Sequence, residues 1–138
     1  MKYIFERTIN YYETDKMGVV HHSNYLRFLE EARCELLSKN GLPYSQLENM
    51  GVMIPVLNIN LAYKTPVTFN DTILVEVELI KYTGVQFIVT YTVKNKHTGS
   101  LVLTGETKHC FISNSFKPIN IKKNIITLHT QFEKLLST

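Results

Sequence analysis

An α+β fold, with one curved antiparallel sheet of five strands wrapped around a long central helix, is predicted by three features of the sequence. Residues 24–39 repeat apolar side chains at helical spacing over about half the helix circumference, more than a helix on a flat surface needs. Four later segments, near 57–63, 73–79, 85–93 and 101–113, alternate apolar and polar residues as strands with one wet side do. The chain has 138 residues and is 44% hydrophobic, which suits one core and a single domain over 1–138. A broad apolar helix and one-sided strands are satisfied together by a sheet that curves around the helix.

The elements follow in order. "KYIFERTINY", residues 2 to about 11, alternates loosely and is expected to be a first strand. The chain then turns at Lys16-Met17-Gly18, where Gly18 can take backbone angles closed to bulkier residues. In the 24–39 helix, steps of ~100° place Tyr25, Phe28, Leu29, Ala32 and Leu36 on one face, widened by Leu26 and Leu37. Arg27, Glu30, Glu31 and Glu35 spread over the other side. Arg33, near the edge of the arc, is expected to pair with Glu30 or to meet a partner subunit. Ser23 or Asn24 can cap the first turn, and Asn40-Gly41 supplies a left-handed stop. "PYSQLENMG" reads as one more short helix, and "NKHTG" as a hairpin turn into the last long strand. Gly105 within that strand marks a bulge or a close backbone approach. Ile121, Ile125, Leu128, Phe132 and Leu136 recur at helical spacing and predict a C-terminal helix. An open sheet edge predicts that the chain pairs with itself as a homodimer or homotetramer.

Composition narrows the function. The net charge of +3 comes from scattered cations with no basic run, so no nucleic-acid partner is expected. Cys34 and Cys110, the only two cysteines, lie in periodic segments without metal-ligand spacing and read as small buried hydrophobes. Residues 1–10 lack the apolar stretch of a signal peptide, and no apolar run is long enough for a membrane span, so a cytoplasmic protein is expected. No phosphate-binding loop, dinucleotide glycine pattern or metal site appears, and no cofactor is expected.

The most specific stretch is "YYETDKMGVVHHSNYLRFLEEARCELL", residues 11–37, a turn rich in polar groups running straight into the amphipathic helix. Its pattern Y-x-E-T-D-x-M-G-V-V-H-H-S-N-Y-L-x-F-x-E-E-A-R resembles the signature of the 4-hydroxybenzoyl-CoA thioesterase family, in particular a bacterial branch related to the Tol-Pal-associated enzymes. The likeness covers roughly residues 3–117. It implies the hotdog fold, which has the layout described above, and it implies an acyl-CoA thioesterase.

By that resemblance Asp15 is the catalytic carboxylate, as nucleophile or as general base toward water, and the backbone N–H of His22 is the main oxyanion donor. Glu13 stands where many relatives carry Asp. The chemistry is sound in its own right: a thioester is already activated, so one base or nucleophile and one preorganised donor suffice. A helix N-terminus offers free N–H groups and a favourable dipole, and Gly18 lets the loop fold back so that both groups face one carbonyl. Tyr11 is a candidate to hydrogen-bond the carboxylate or the substrate, and the His22 imidazole to orient water. Tyr25 and Leu29, with Val56 and Leu57, are expected to wall the acyl group, and short or medium aliphatic acyl-CoA is the expected substrate. Lys64, Lys81 and Lys117 are candidates for the CoA phosphates. An acyl carrier protein presents the same phosphopantetheine thiol and is an alternative partner; a non-catalytic module binding acyl thioesters is the alternative from another class.

Overall fold

The computed structural model describes residues 2–137, apart from the side chain of residue 137. The strands are β1 (Lys2–Thr8), β2 (Val52–Met53), β3 (Val56–Tyr63), β4 (Thr72–Tyr82), β5 (Gln86–Asn95), β6 (Leu101–Cys110) and β7 (Ile112–Ser113). The helices are α1 (His22–Lys39), α2 (Tyr44–Asn49), α3 (Ile121–Asn124) and α4 (Ile126–Ser137), with a short 3-10 turn at Tyr11–Glu13. Five strands form one sheet in the order β1-β4-β5-β6-β3, and every neighbouring pair is antiparallel. β2 and β7 make a separate two-stranded ladder.

α1 buries Tyr25, Phe28, Leu29, Ala32, Leu36 and Leu37, the arc set by the sequence periodicity except for Leu26, which is left 38% exposed. It packs on β4 and β1, meeting the buried parity of β4 (Ile73, Val75, Val77, Leu79) and sharing one core with Phe87, Val89, Tyr91 and Val93 of β5. Each such side chain removed from water contributes about 1.5–3 kcal/mol before entropy is counted. α4 closes the other end, with Phe132 at the centre of a cluster of Tyr82, Phe87 and Phe111 rings.

Several boundaries differ from those expected. β1 ends at Thr8, because Asn10 to Glu13 closes into the 3-10 turn. α1 begins at His22, capped by neither Ser23 nor Asn24: His21 is the N-cap, its ring nitrogen accepting from the Ser23 N–H at 3.3 Å. The last strand is broken after Cys110 so that β7 can pair with β2, and the terminal helix is broken at Ile125. Gly105 sits in unbroken register opposite Leu61 and Tyr91, so it marks no bulge. It is a close approach: a Cβ there would lie 2.6 Å from Leu61 Cδ2 and 3.6 Å from Leu29 Cδ1. Among the described residues no helix is long and apolar enough to cross a membrane.

Candidate active site

The segment between β1 and α1 is held by Glu13. Its side chain is buried, and Oε1 accepts from Arg7 Nη1 at 2.6 Å and from the Asn10 N–H at 2.8 Å. Its carbonyl accepts from the His21 N–H at 3.0 Å and from Asn24 Nδ2 at 2.9 Å, which ties the end of the turn to the start of the helix. Burial by itself pushes the Glu13 carboxyl up, but the Arg7 hydrogen bond, the Asn10 N–H and the Arg7 and Arg27 charges outweigh it and hold it below the usual range. The Arg7 guanidinium also pairs with Glu31 at 2.6 Å and lies 4.3 Å from the centre of the Phe28 ring. This clasp fixes the helix entry against the core.

Asp15 follows in a tight hairpin. Its N–H donates to the Val19 carbonyl at 2.9 Å, its carbonyl accepts from the Gly18 N–H at 3.0 Å, and its Oδ1 accepts from the Met17 N–H at 2.8 Å. Gly18 has φ of 80°, which L side chains rarely adopt, and a Cβ there would meet nothing; the glycine is needed for its backbone angle, not for space. Single bridges join Thr14 to Val20 and Val19 to Thr68, so both arms of the hairpin are anchored. Oδ2 of Asp15 has no hydrogen-bond partner among the described residues, and the side chain is half-buried. The His22 N–H likewise has no acceptor among the described residues, as expected of the first turn of a helix.

Beside that helix start lies a cavity of about 220 Å³ lined by Val20, His22, Tyr25, Tyr63, Lys64 and Pro66. The structure thus brings His22, Tyr25 and Lys64 around one space and sets Asp15 and Gly18 on the hairpin leading to it through Val20. Tyr11 stands apart. It is 74% exposed, its ring meets Phe69 edge-on at 5.6 Å, and no hydrogen bond joins it to Asp15. The His22 ring stacks at a tilt on His21, centroids 4.2 Å apart, and makes no hydrogen bond to Asp15 among the described residues. Leu29 lines a second cavity, about 150 Å³, further along α1. Lys81 borders a different hollow beside Thr83, Gln86 and Lys108, and Lys117 lies in the turn after β7, its N–H on Ser113 Oγ.

Arg33 does not pair with Glu30. Four residues from Leu29 puts it only ~40° from that side chain around the helix, hence toward the core. It is 7% exposed and donates from Nη1 to the Tyr91 hydroxyl at 3.0 Å. The chain of contacts continues from Tyr91 Oη to Thr107 Oγ1 at 2.7 Å and on to His109 Nε2 at 2.8 Å. Arg33 Nε and His109 Nδ1 are buried with no hydrogen-bond partner among the described residues. His109 is pushed down to about 3, by burial first and then by the Arg33 charge, against a smaller upward pull from the Pro55 backbone. This network was missed in the sequence, although its signal is there: Leu103, Thr107, His109 and Phe111 share one parity of β6 and its continuation, so two polar residues occupy inward positions.

A model of the family described as the thioesterase-like superfamily matches residues 9–125 of this chain. A Bacillus subtilis relative provisionally named acyl-CoA thioesterase YneP is 37% identical over 130 residues, covering 94% of each chain. A DHNA-CoA thioesterase from Staphylococcus aureus superposes with a TM-score of 0.92 at 32% identity, covering 99% of this chain and 91% of that one. The hypothetical protein TT1821 from Thermus thermophilus gives a TM-score of 0.88 at 30% identity, with 98% of both chains covered.

Proposed function

The chain belongs to the thioesterase-like superfamily, and from that membership we propose that it is an acyl-CoA thioesterase whose carboxylate is Asp15. The observation that supports the reading is that the segment between β1 and α1 carries two groups with no partner among the described residues, Asp15 Oδ2 on the hairpin and the His22 N–H where α1 begins beside the cavity. Acyl-CoA and water give a carboxylate, free CoA thiol and a proton. As nucleophile, Asp15 adds to the carbonyl, the C–S bond breaks, and water hydrolyses the resulting anhydride; as base, it takes a proton from the water that attacks. In both routes the carbonyl oxygen gains negative charge, which the His22 N–H and the α1 dipole stabilise; one such donor is worth roughly a hundredfold or more in rate. Lys64 at the cavity supports a role in holding CoA phosphate, while Tyr25 begins the acyl wall. The His22 imidazole, which lines the cavity, is assigned to order water or substrate, and Tyr11, which stands apart from that cavity, to contact the substrate outside it. We take the acyl group to be short or medium, and the 11–33 motif supports a place in the bacterial Tol-Pal-related branch.

The test is CoA thiol release from a ladder of acetyl to palmitoyl thioesters, with benzoyl added. A maximum at short or medium length is expected; a maximum at palmitoyl or benzoyl overturns the chain-length choice. Thiol release from none of them would leave a module that binds acyl thioesters without cleaving them.

We also propose that the working unit pairs two copies through β3. Among the described residues this strand has a ladder partner on one side only, and Val56, Leu57, Ile59 and Tyr63 are 44%, 49%, 43% and 52% exposed, an apolar edge that water alone does not suit. Sedimentation at micromolar concentration is expected to give a dimer or tetramer, and a monomer there would remove the proposal.

A further inference from the structure

The two cavities along α1 each lie between that helix and β3. Tyr25 and Tyr63 line the first. One helical turn on, Leu26, Leu29, Val56 and Ile59 wall the second, and Arg33 and Thr107 form its polar part. Arg33 lies eleven residues beyond His22, a rise of roughly 16 Å at about 1.5 Å per residue. An acyl chain laid along α1 from the proposed reaction centre, past the β3 side chains, therefore heads toward a buried cation.

That cation lacks an anion. Among the described residues, Arg33, 7% exposed, has no hydrogen-bond partner at Nε and takes part in none of the ion pairs. Tyr91 and Tyr44 supply only hydroxyl oxygens, and His109 beside it is a neutral imidazole. Glu30 borders the same cavity, but its side chain is exposed to solvent and leaves Arg33 unpaired. A guanidinium taken out of water without a carboxylate is costly, and the fork geometry of Arg suits a carboxylate best.

Building on the thioesterase reading, we infer that the acyl group bound along α1 ends in a carboxylate held by Arg33, so that the preferred substrates are CoA monothioesters of short or medium dicarboxylic acids. Arg33 is then a specificity-determining residue, remote from the bond that breaks.

The experiment compares matched pairs on the wild-type protein: hexanoyl-CoA against adipyl-CoA, and octanoyl-CoA against suberyl-CoA. The carboxylated member of at least one pair is expected to show a kcat/KM about tenfold to a hundredfold higher, and Arg33→Met is expected to bring that ratio to about one or below. Equal or lower kcat/KM for both carboxylated members overturns the inference, as does a ratio that survives Arg33→Met. The wild-type comparison decides even where that variant does not fold. If no thioester of any kind is cleaved, the thioesterase reading fails instead; calorimetry with adipate against hexanoate then decides whether the carboxylate site exists, tighter adipate binding upholding it and equal or absent binding overturning it.

Discussion

Asp15→Asn is expected to lower acyl-CoA turnover by roughly a hundredfold or more, about 3 kcal/mol in the barrier, with the fold unchanged. The substitution is chosen for what it keeps. An Asn Oδ1 still accepts from the Met17 N–H, and the Asp15 backbone bonds to Val19 and Gly18 are untouched, so the hairpin has no reason to open. What is lost is the charge and basicity of the free Oδ2, which either proposed route needs. kcat/KM measured beside a thermal melt separates the two effects. Activity within about twofold of the parent would dismiss Asp15 as the reacting group, and a fallen melting temperature would show that the carboxylate serves mainly to hold the turn.

Glu13→Ala should give the largest loss of stability among changes near the site, about 3 kcal/mol, the lower end for breaking a buried ion pair. Arg7 and Glu13 side chains are 16% and 5% exposed, so removing the carboxylate leaves a largely buried guanidinium. Glu31, 45% exposed, still pairs with Arg7 and limits the damage. The Asn10 N–H loses its acceptor as well. Denaturant unfolding measures the effect, and a change below about 1 kcal/mol would class the pair with ordinary surface ion pairs. Glu13→Asp, which keeps the charge and shortens the reach, should fall between the two.

The parts of the fold readable from sequence are those with a strong period. The α1 arc and the alternating β4 and β5 announce themselves because each has one face in the core. β2 and β7 are two residues long, too short for any period, and their pairing depends on tertiary placement. β3 is exposed along 56–60 on both faces, so its alternation of Leu57 and Ile59 with Asn58 and Asn60 does not tell core from solvent in the single chain. At the candidate site, the turn at Gly18 was legible because it is local. Tyr11 was not, since its ring goes to Phe69, far along the chain. Glu13 looked like a one-methylene departure from relatives, whereas the structure makes it the clasp. Arg33 was placed at the arc's edge, and its burial depends on residues distant in sequence, Tyr91 and Thr107 on strands and Tyr44 on α2.

The neutral His109 also makes the protein a poor survivor of acid. Unfolded, that imidazole binds a proton near its ordinary 6.5; folded, it refuses one until about 3. Between those values the unfolded chain takes up a proton that the native chain does not, so stability falls as the medium is acidified from 6.5, by up to about 1.4 kcal/mol per pH unit, and this contribution levels off below about 3. Glu13, held below its usual 4.5, adds to the decline under that value. The drop in denaturant midpoint between pH 6.5 and 4.5 isolates the histidine, and His109→Gln, which cannot take up the proton, should flatten it.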